Sequence, residues 1–168
     1  MKTADYAQTK DEQNEQSYAF AANAILETVD NQGGNTLALT SSNTNKEGQW
    51  AVAANIADKL RSHCRVLLIY VTPQGDGEIA VKDGVAKADN PSPEKLGAFL
   101  KEKKETADIL LLCLPPVRLY AQALEYAKMA DKLYLVERTC HSTYGDFEKT
   151  LGLLSTYDIH PAGTILYR

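Results

Sequence analysis

The sequence predicts an α/β fold: a doubly wound, mostly parallel sheet with helices on both faces. Two observations predict it. The apolar runs Leu37–Thr40, Arg65–Tyr70, Asp108–Val117 and Lys132–Val136 are continuous rather than alternating, which is the mark of strands covered on both sides. Stretches of helical periodicity separate these runs, giving the rhythm of strand–helix–strand units. A length of 168 residues suffices for one domain with a real core. The expected division is a flexible polar tail over residues 1–12 and a single domain over 13–168.

Taken in order, the first helix is expected from about Asn14. Tyr18, Ala21, Ala22, Ile25 and Val29 recur at helical spacing, and Gly33-Gly34 stops the run. Leu37–Thr40 is the first strand. After a polar loop, Ala53, Ile56, Ala57 and Leu60 make an i, i+3, i+4, i+7 stripe. Arg61 and Arg65 suit the negative pole of that helix. Arg65–Tyr70 is the second strand. Pro73–Asp89 is rich in turn residues, with Ile79–Val81 as a short strand. Ser92 and Pro93 read as N-cap and first residue of a helix buried through Leu96, Phe99 and Leu100. The charged run Lys101–Glu105 is its solvated side. Asp108–Val117 is a strand and its exit. Leu119, Ala123, Tyr126 and Ala127 sketch a helix. Lys132–Val136 is a strand ending at Glu137-Arg138. Tyr144, Phe147, Leu151 and Leu154 mark the last helix, and Gly163–Arg168 closes the sheet.

Composition narrows the function. No apolar run approaches the ~20 residues of a membrane span. The first residues, MKTADYAQTKDEQ, lack the apolar stretch of a signal peptide. Both point to a cytoplasmic protein, reaching the inner face of a membrane only through a partner. A net charge of −4 argues against nucleic acid as a partner. Cys64, Cys113 and Cys140 are too scattered for a disulfide framework, and Cys140-His141 has no second pair to complete a metal site.

The loop after the first strand carries the most information. Strand, polar loop and helix form the frame in which a P-loop holds phosphate, with the pattern GxxxxGK[ST]. There the glycines let backbone N–H groups face the phosphates, the lysine neutralises them, and the hydroxyl holds Mg²⁺. Here Lys46 stands for a glycine, Gln49 for the lysine and Trp50 for the hydroxyl, while Glu47 and Gly48 remain.

The segment Ser41–Ala57, SSNTNKEGQWAVAANIA, resembles the Walker A region of bacterial tyrosine kinases, the cytoplasmic ATPase domains of capsule and exopolysaccharide export systems. Their usual form is TS-x-x-PGEGKST-x-x-ANLA. Further matches follow in family order. Asn90–Leu96 resembles their NP-x-ELL helix start. Asp108–Val117, DILLLCLPPV, resembles their Walker B strand and exit, D-x-x-x-x-DTPPV. Glu137-Arg138 is similar to their V-V-R strand end, and Gly163–Tyr167 to their GVVLN strand. The resemblance implies a P-loop NTPase-like fold whose nucleotide site is vestigial at each functional position. In the loop these are Asn45, Lys46, Glu47, Gly48, Gln49 and Trp50. At the acidic motifs, Tyr70 and Thr72 replace an Asp-x-Asp pair and Cys113 replaces the Walker B aspartate. At the base site Tyr167 replaces an asparagine. The ring-forming Glu-x-x-Arg-x-x-Arg pattern of the relatives falls on Gln16, Ala19 and Ala22.

The reading is therefore a pseudo-ATPase or pseudokinase without catalytic residues, metal or cofactor. It would act as a binding or regulatory subunit in exopolysaccharide or capsule biosynthesis. Its implied partner is a membrane-associated polysaccharide export or polymerisation protein, or an active kinase homologue, with self-association as a further option. Two alternatives stand beside it. One is an ATPase or tyrosine kinase using ATP and Mg²⁺ through unconventional residues, Lys46 and Glu47 among them. The other is a degenerate adaptor of the Min/Par type. The expected crevice is lined by Asn43, Thr44, Asn45, Lys46, Thr72, Cys113 and Leu114, with Trp50 filling the space of phosphate and metal.

Overall fold

The computed structural model describes residues 10–32, 34–43 and 46–168; the side chains of Asn31, Gln32, Lys46 and Glu47 lie outside that description. Thr44, Asn45 and most of the polar tail, residues 1–9, also fall outside it. The elements run α1 (Lys10–Gln32), β1 (Thr36–Thr40), α2 (Lys46–Arg61), β2 (Val66–Thr72), β3 (Ile79–Lys82) and β4 (Val85–Asp89). They continue with α3 (Pro93–Lys103), β5 (Ile109–Cys113), α4 (Gln122–Lys128), β6 (Lys132–Arg138), α5 (Tyr144–Thr156) and β7 (Gly163–Tyr167).

The strands form one sheet in the order β3-β4-β2-β5-β1-β6-β7. Every neighbouring pair is parallel except the β3–β4 hairpin at one edge. The continuous apolar runs are explained by two cores. On one face Leu37 and Leu39 of β1, Leu68 of β2 and Leu111 of β5 pack under α1 and α2, meeting Ile25, Ile56 and Leu60. On the other face Ala38, Ile69, Leu110 and Leu112 pack under α3, α4 and α5, meeting Leu96, Leu124 and Leu154. Ala53, Ile56, Ala57 and Leu60 are all fully buried, as their spacing requires.

Several boundaries differ from expectation. Helix α1 begins at Lys10, so residues 10–12 belong to it rather than to a tail; Asp11 and Glu12 lie in its first turn, where acidic side chains oppose the helix dipole. Arg65 lies outside α2 and joins Asp108 instead, its guanidinium 2.8 Å from the carboxylate. Leu119 precedes α4 in the turn after Pro115-Pro116 and is half exposed. Tyr144 opens α5 but points to solvent, at 79% exposure, so the helix is anchored by Leu154 and Thr150. The strand β4 was not anticipated. Its connection to β3 is Asp83-Gly84, with φ of 53° and 76°, the two positive angles that a tight hairpin turn demands.

The topology sets the site. β1 lies between β5 and β6, and the connections from these central strands leave toward opposite sides of the sheet. In open α/β sheets the ligand crevice lies outside the carboxyl ends of the strands at such a switch point. That is where the loop from β1 to α2 stands.

Candidate functional site at the carboxyl ends of the strands

The site is built from the exits of β1, β2, β5, β6 and β7 and from the first turns of α2. Gln49, in the first turn of α2, is 1% exposed. Its Nε2 donates to the Leu39 carbonyl at 3.0 Å and to the Leu114 carbonyl at 2.8 Å, with the Cys113 sulfur at 3.4 Å. The amide therefore ties the helix to the ends of β1 and β5. Two further bonds close the same junction: Leu114 N–H to the Leu39 carbonyl at 2.8 Å, and Thr40 Oγ1 to the Pro115 carbonyl at 3.1 Å. The Gln49 Oε1 is buried without a hydrogen-bond partner among the described residues.

Next to it, the Trp50 and Tyr70 rings are 5.0 Å apart between centroids and tilted by 44°. The Tyr70 hydroxyl donates to the Trp50 carbonyl at 3.3 Å. Tyr70 pairs in register with Cys113 across β2 and β5. Burial, and then the neighbouring Cys113, push the Tyr70 phenol up from its ordinary range. Cys113 is fully buried, and that burial pushes its thiol far up, with the Gln49 contact opposing only weakly. A nucleophilic cysteine needs the reverse, a thiolate held in an electropositive and accessible setting.

Gln49, Trp50, Tyr70 and Cys113 are thus gathered in one cluster. Thr72 is not part of it. Its hydroxyl lies 2.9 Å from Asp89 Oδ1 and 2.8 Å from the Gln74 carbonyl, toward the exit of β4. Tyr167, on the edge strand β7, packs in the same core as α2 and reaches the start of that helix. A Cβ built on Gly48 would lie 2.2 Å from the Tyr167 hydroxyl, so the phenol rests directly on the loop glycine. Burial raises the Tyr167 phenol as well. Of the remaining loop positions, Asn45 and the side chains of Lys46 and Glu47 fall outside the described residues.

Two carboxylates escaped the sequence reading. Asp89 is one. The other is Glu137 at the end of β6, only 3% exposed. Its Oε1 accepts the Ser42 N–H at 2.8 Å, and its Oε2 accepts the Ser42 hydroxyl at 2.7 Å and the Ser142 hydroxyl. A signal was available: an acidic residue inside the run LYLVER, at the strand end where the crevice must lie. Among the described residues, no group of three or more His, Cys, Asp or Glu is placed to hold a metal. No described helix is long and apolar enough to cross a membrane.

No protein-family model and no curated protein matches this sequence. Solved structures do. The BceF tyrosine kinase domain superposes with a TM-score of 0.73 at 18% identity, covering 91% of this chain and 76% of that one. The VpsO kinase domain gives 0.71 at 16% identity, covering 94% and 97%. The cell-division protein MinD of Aquifex aeolicus gives 0.61 at 21% identity, covering 79% and 68%. The chain has the fold that these P-loop proteins share.

Proposed function

We propose that this chain is a non-catalytic relative of the bacterial tyrosine kinases, a pseudokinase serving as a binding or regulatory subunit of polysaccharide assembly. The observation that carries the reading is Gln49. At the position where a P-loop presents a lysine to phosphate, this chain has a neutral amide turned inward onto two strand-end carbonyls. Around it, the places of the metal-binding hydroxyl and of two carboxylates hold an indole, a phenol and a thiol, while Thr72 at the remaining carboxylate position stands apart, bonded to Asp89. Mg²⁺ takes hard oxygen ligands, usually carboxylates and phosphates. This donor set does not suit magnesium triphosphate. Phosphoryl transfer rests on positioning and charge neutralisation, and each lost group of that kind costs ~10²–10³ in rate.

The kinase branch is favoured over a Min/Par-type adaptor by the greater extent of the likeness: 91% of this chain at a TM-score of 0.73, against 79% at 0.61. It is also favoured by the Pro115-Pro116-Val117 exit. The partner class is a membrane-associated polysaccharide export or polymerisation protein, or an active kinase of the same fold. Calorimetric titration with Mg-ATP and Mg-ADP tests the reading. The expected result is no saturable heat. Saturable binding accompanied by ATP turnover that is lost on changing Lys46 or Glu47 would establish the unconventional enzyme instead.

A further inference from the structure

Glu137 has a role that the nucleotide frame does not account for. Its carboxylate is nearly inaccessible, yet it takes part in none of the ion pairs between described residues. Burying a carboxylate costs several kcal/mol unless hydrogen bonds or a counter-charge replace the lost water. Three donors do so here, and they converge from two separate segments: the Ser42 N–H and hydroxyl from the turn after β1, and the Ser142 hydroxyl from the turn after β6. The surrounding turn is itself braced. Asn43 Nδ2 donates to the Ser142 hydroxyl at 3.3 Å, and the Asn43 N–H donates to Ser41 Oγ at 3.2 Å. Backbone and hydroxyl donors aimed at one point make an oxyanion cradle.

We propose that Ser42 and Ser142 form a small-oxyanion pocket beside the loop, and that Glu137 is its built-in occupant. The ligand class is a single carboxylate, phosphate or sulfate group. In the native chain the pocket is closed to these anions because a side chain already fills it. The same contact clamps β1 to β6 across the crevice mouth. This concerns the β1–β6 side of the crevice and does not depend on whether nucleotide binds at the loop.

Chemical rescue of Glu137→Ala tests it. Removing the carboxylate strands three donors, which in a chain of this size lowers Tm by about 5–15 °C. Sodium acetate or sodium phosphate should then raise Tm again, by about 3–5 °C at ten times the dissociation constant. Sodium chloride at equal ionic strength should not, and the native protein should respond to none of these salts beyond chloride. An unchanged Tm in the variant, or rescue no better than chloride, overturns the proposal. So does phosphate binding by the native chain that shifts the Ser42 amide resonance. If Glu137→Ala does not fold, Glu137→Gln keeps the volume, and the readout becomes hydrogen exchange at the Ser42 amide. Exchange at least about tenfold faster than native is expected from loss of the charged acceptor. Equal rates overturn the assignment. Mg-ATP binding by the native protein would defeat the pseudokinase reading while leaving this result standing.

Discussion

Replacing Gln49 by leucine isolates what the buried amide does. The change keeps the side-chain volume close and removes both polar ends. The Leu39 carbonyl keeps a partner, because the Leu114 N–H still donates to it at 2.8 Å. The Leu114 carbonyl loses the Gln49 bond at 2.8 Å, and a stranded buried acceptor costs ~1–3 kcal/mol. Against this, leucine removes the buried Oε1, which has no partner among the described residues, and that relief is worth ~1 kcal/mol. The central values leave a net loss of ~1 kcal/mol, or a fall in Tm of about 2–4 °C for a domain of this size. Urea unfolding and differential scanning calorimetry both measure it. A Tm equal to or above the native value would mean that the amide does not clamp α2 to β1 and β5. Glutamine would then be explained only as a residue that is not lysine.

Three further outcomes are expected. Gly48→Ala drives a Cβ to 2.2 Å from the Tyr167 hydroxyl, costing ~1–3 kcal/mol in urea unfolding, and Tyr167→Phe in the same chain should recover part of that loss. The Arg65 hydrogen bonds hold the Asp108 carboxyl at about 2, below its ordinary 3.8, so its contribution is present above the ordinary value and fades as pH falls through about 2; carboxyl NMR titration should show that midpoint, returning toward 3.8 in Arg65→Ala. Native protein treated with iodoacetamide at pH 8 should be alkylated at the exposed Cys140 and not at the buried Cys113, as read by mass spectrometry, with Cys113 reacting only after unfolding.

The central strands were legible because a strand buried on both faces cannot hide its composition. Leu110, Leu111 and Leu112 can only be covered from both sides. The edge was less legible. In β4, Val85-Ala86-Lys87-Ala88-Asp89 is half polar and its buried positions are alanines, so the apolar signal is faint. The hairpin was nonetheless announced by Asp83-Gly84, a strong short-range turn signal. At the site, the replaced residue types were legible and their directions were not. Nothing in the sequence says that Gln49 turns toward carbonyls rather than solvent, or that Tyr167 reaches across to Gly48. Glu137 is signalled only by its charge inside the run LYLVER, because helical or alternating periodicity gives no information at a strand end.

The positions that the resemblance marks as vestigial share a physical logic. A loop that binds triphosphate needs charged groups left without internal partners, ready for a ligand. Here the described side chains at these positions are turned into the protein, although the Gln49 Oε1 keeps no partner among the described residues. Gln49 bonds to strand-end carbonyls, Trp50 lies against Tyr70, Cys113 is sealed in the core, and the Tyr167 hydroxyl sits on Gly48. Groups satisfied in this way stabilise the ligand-free fold. On the pseudokinase reading an entering phosphate would have to displace such bonds before forming its own, and a ligand that must first break the contacts of its site loses that energy from its affinity. On that reading, proposed above, the crevice would disfavour triphosphate on two counts, weaker attraction and prior occupancy.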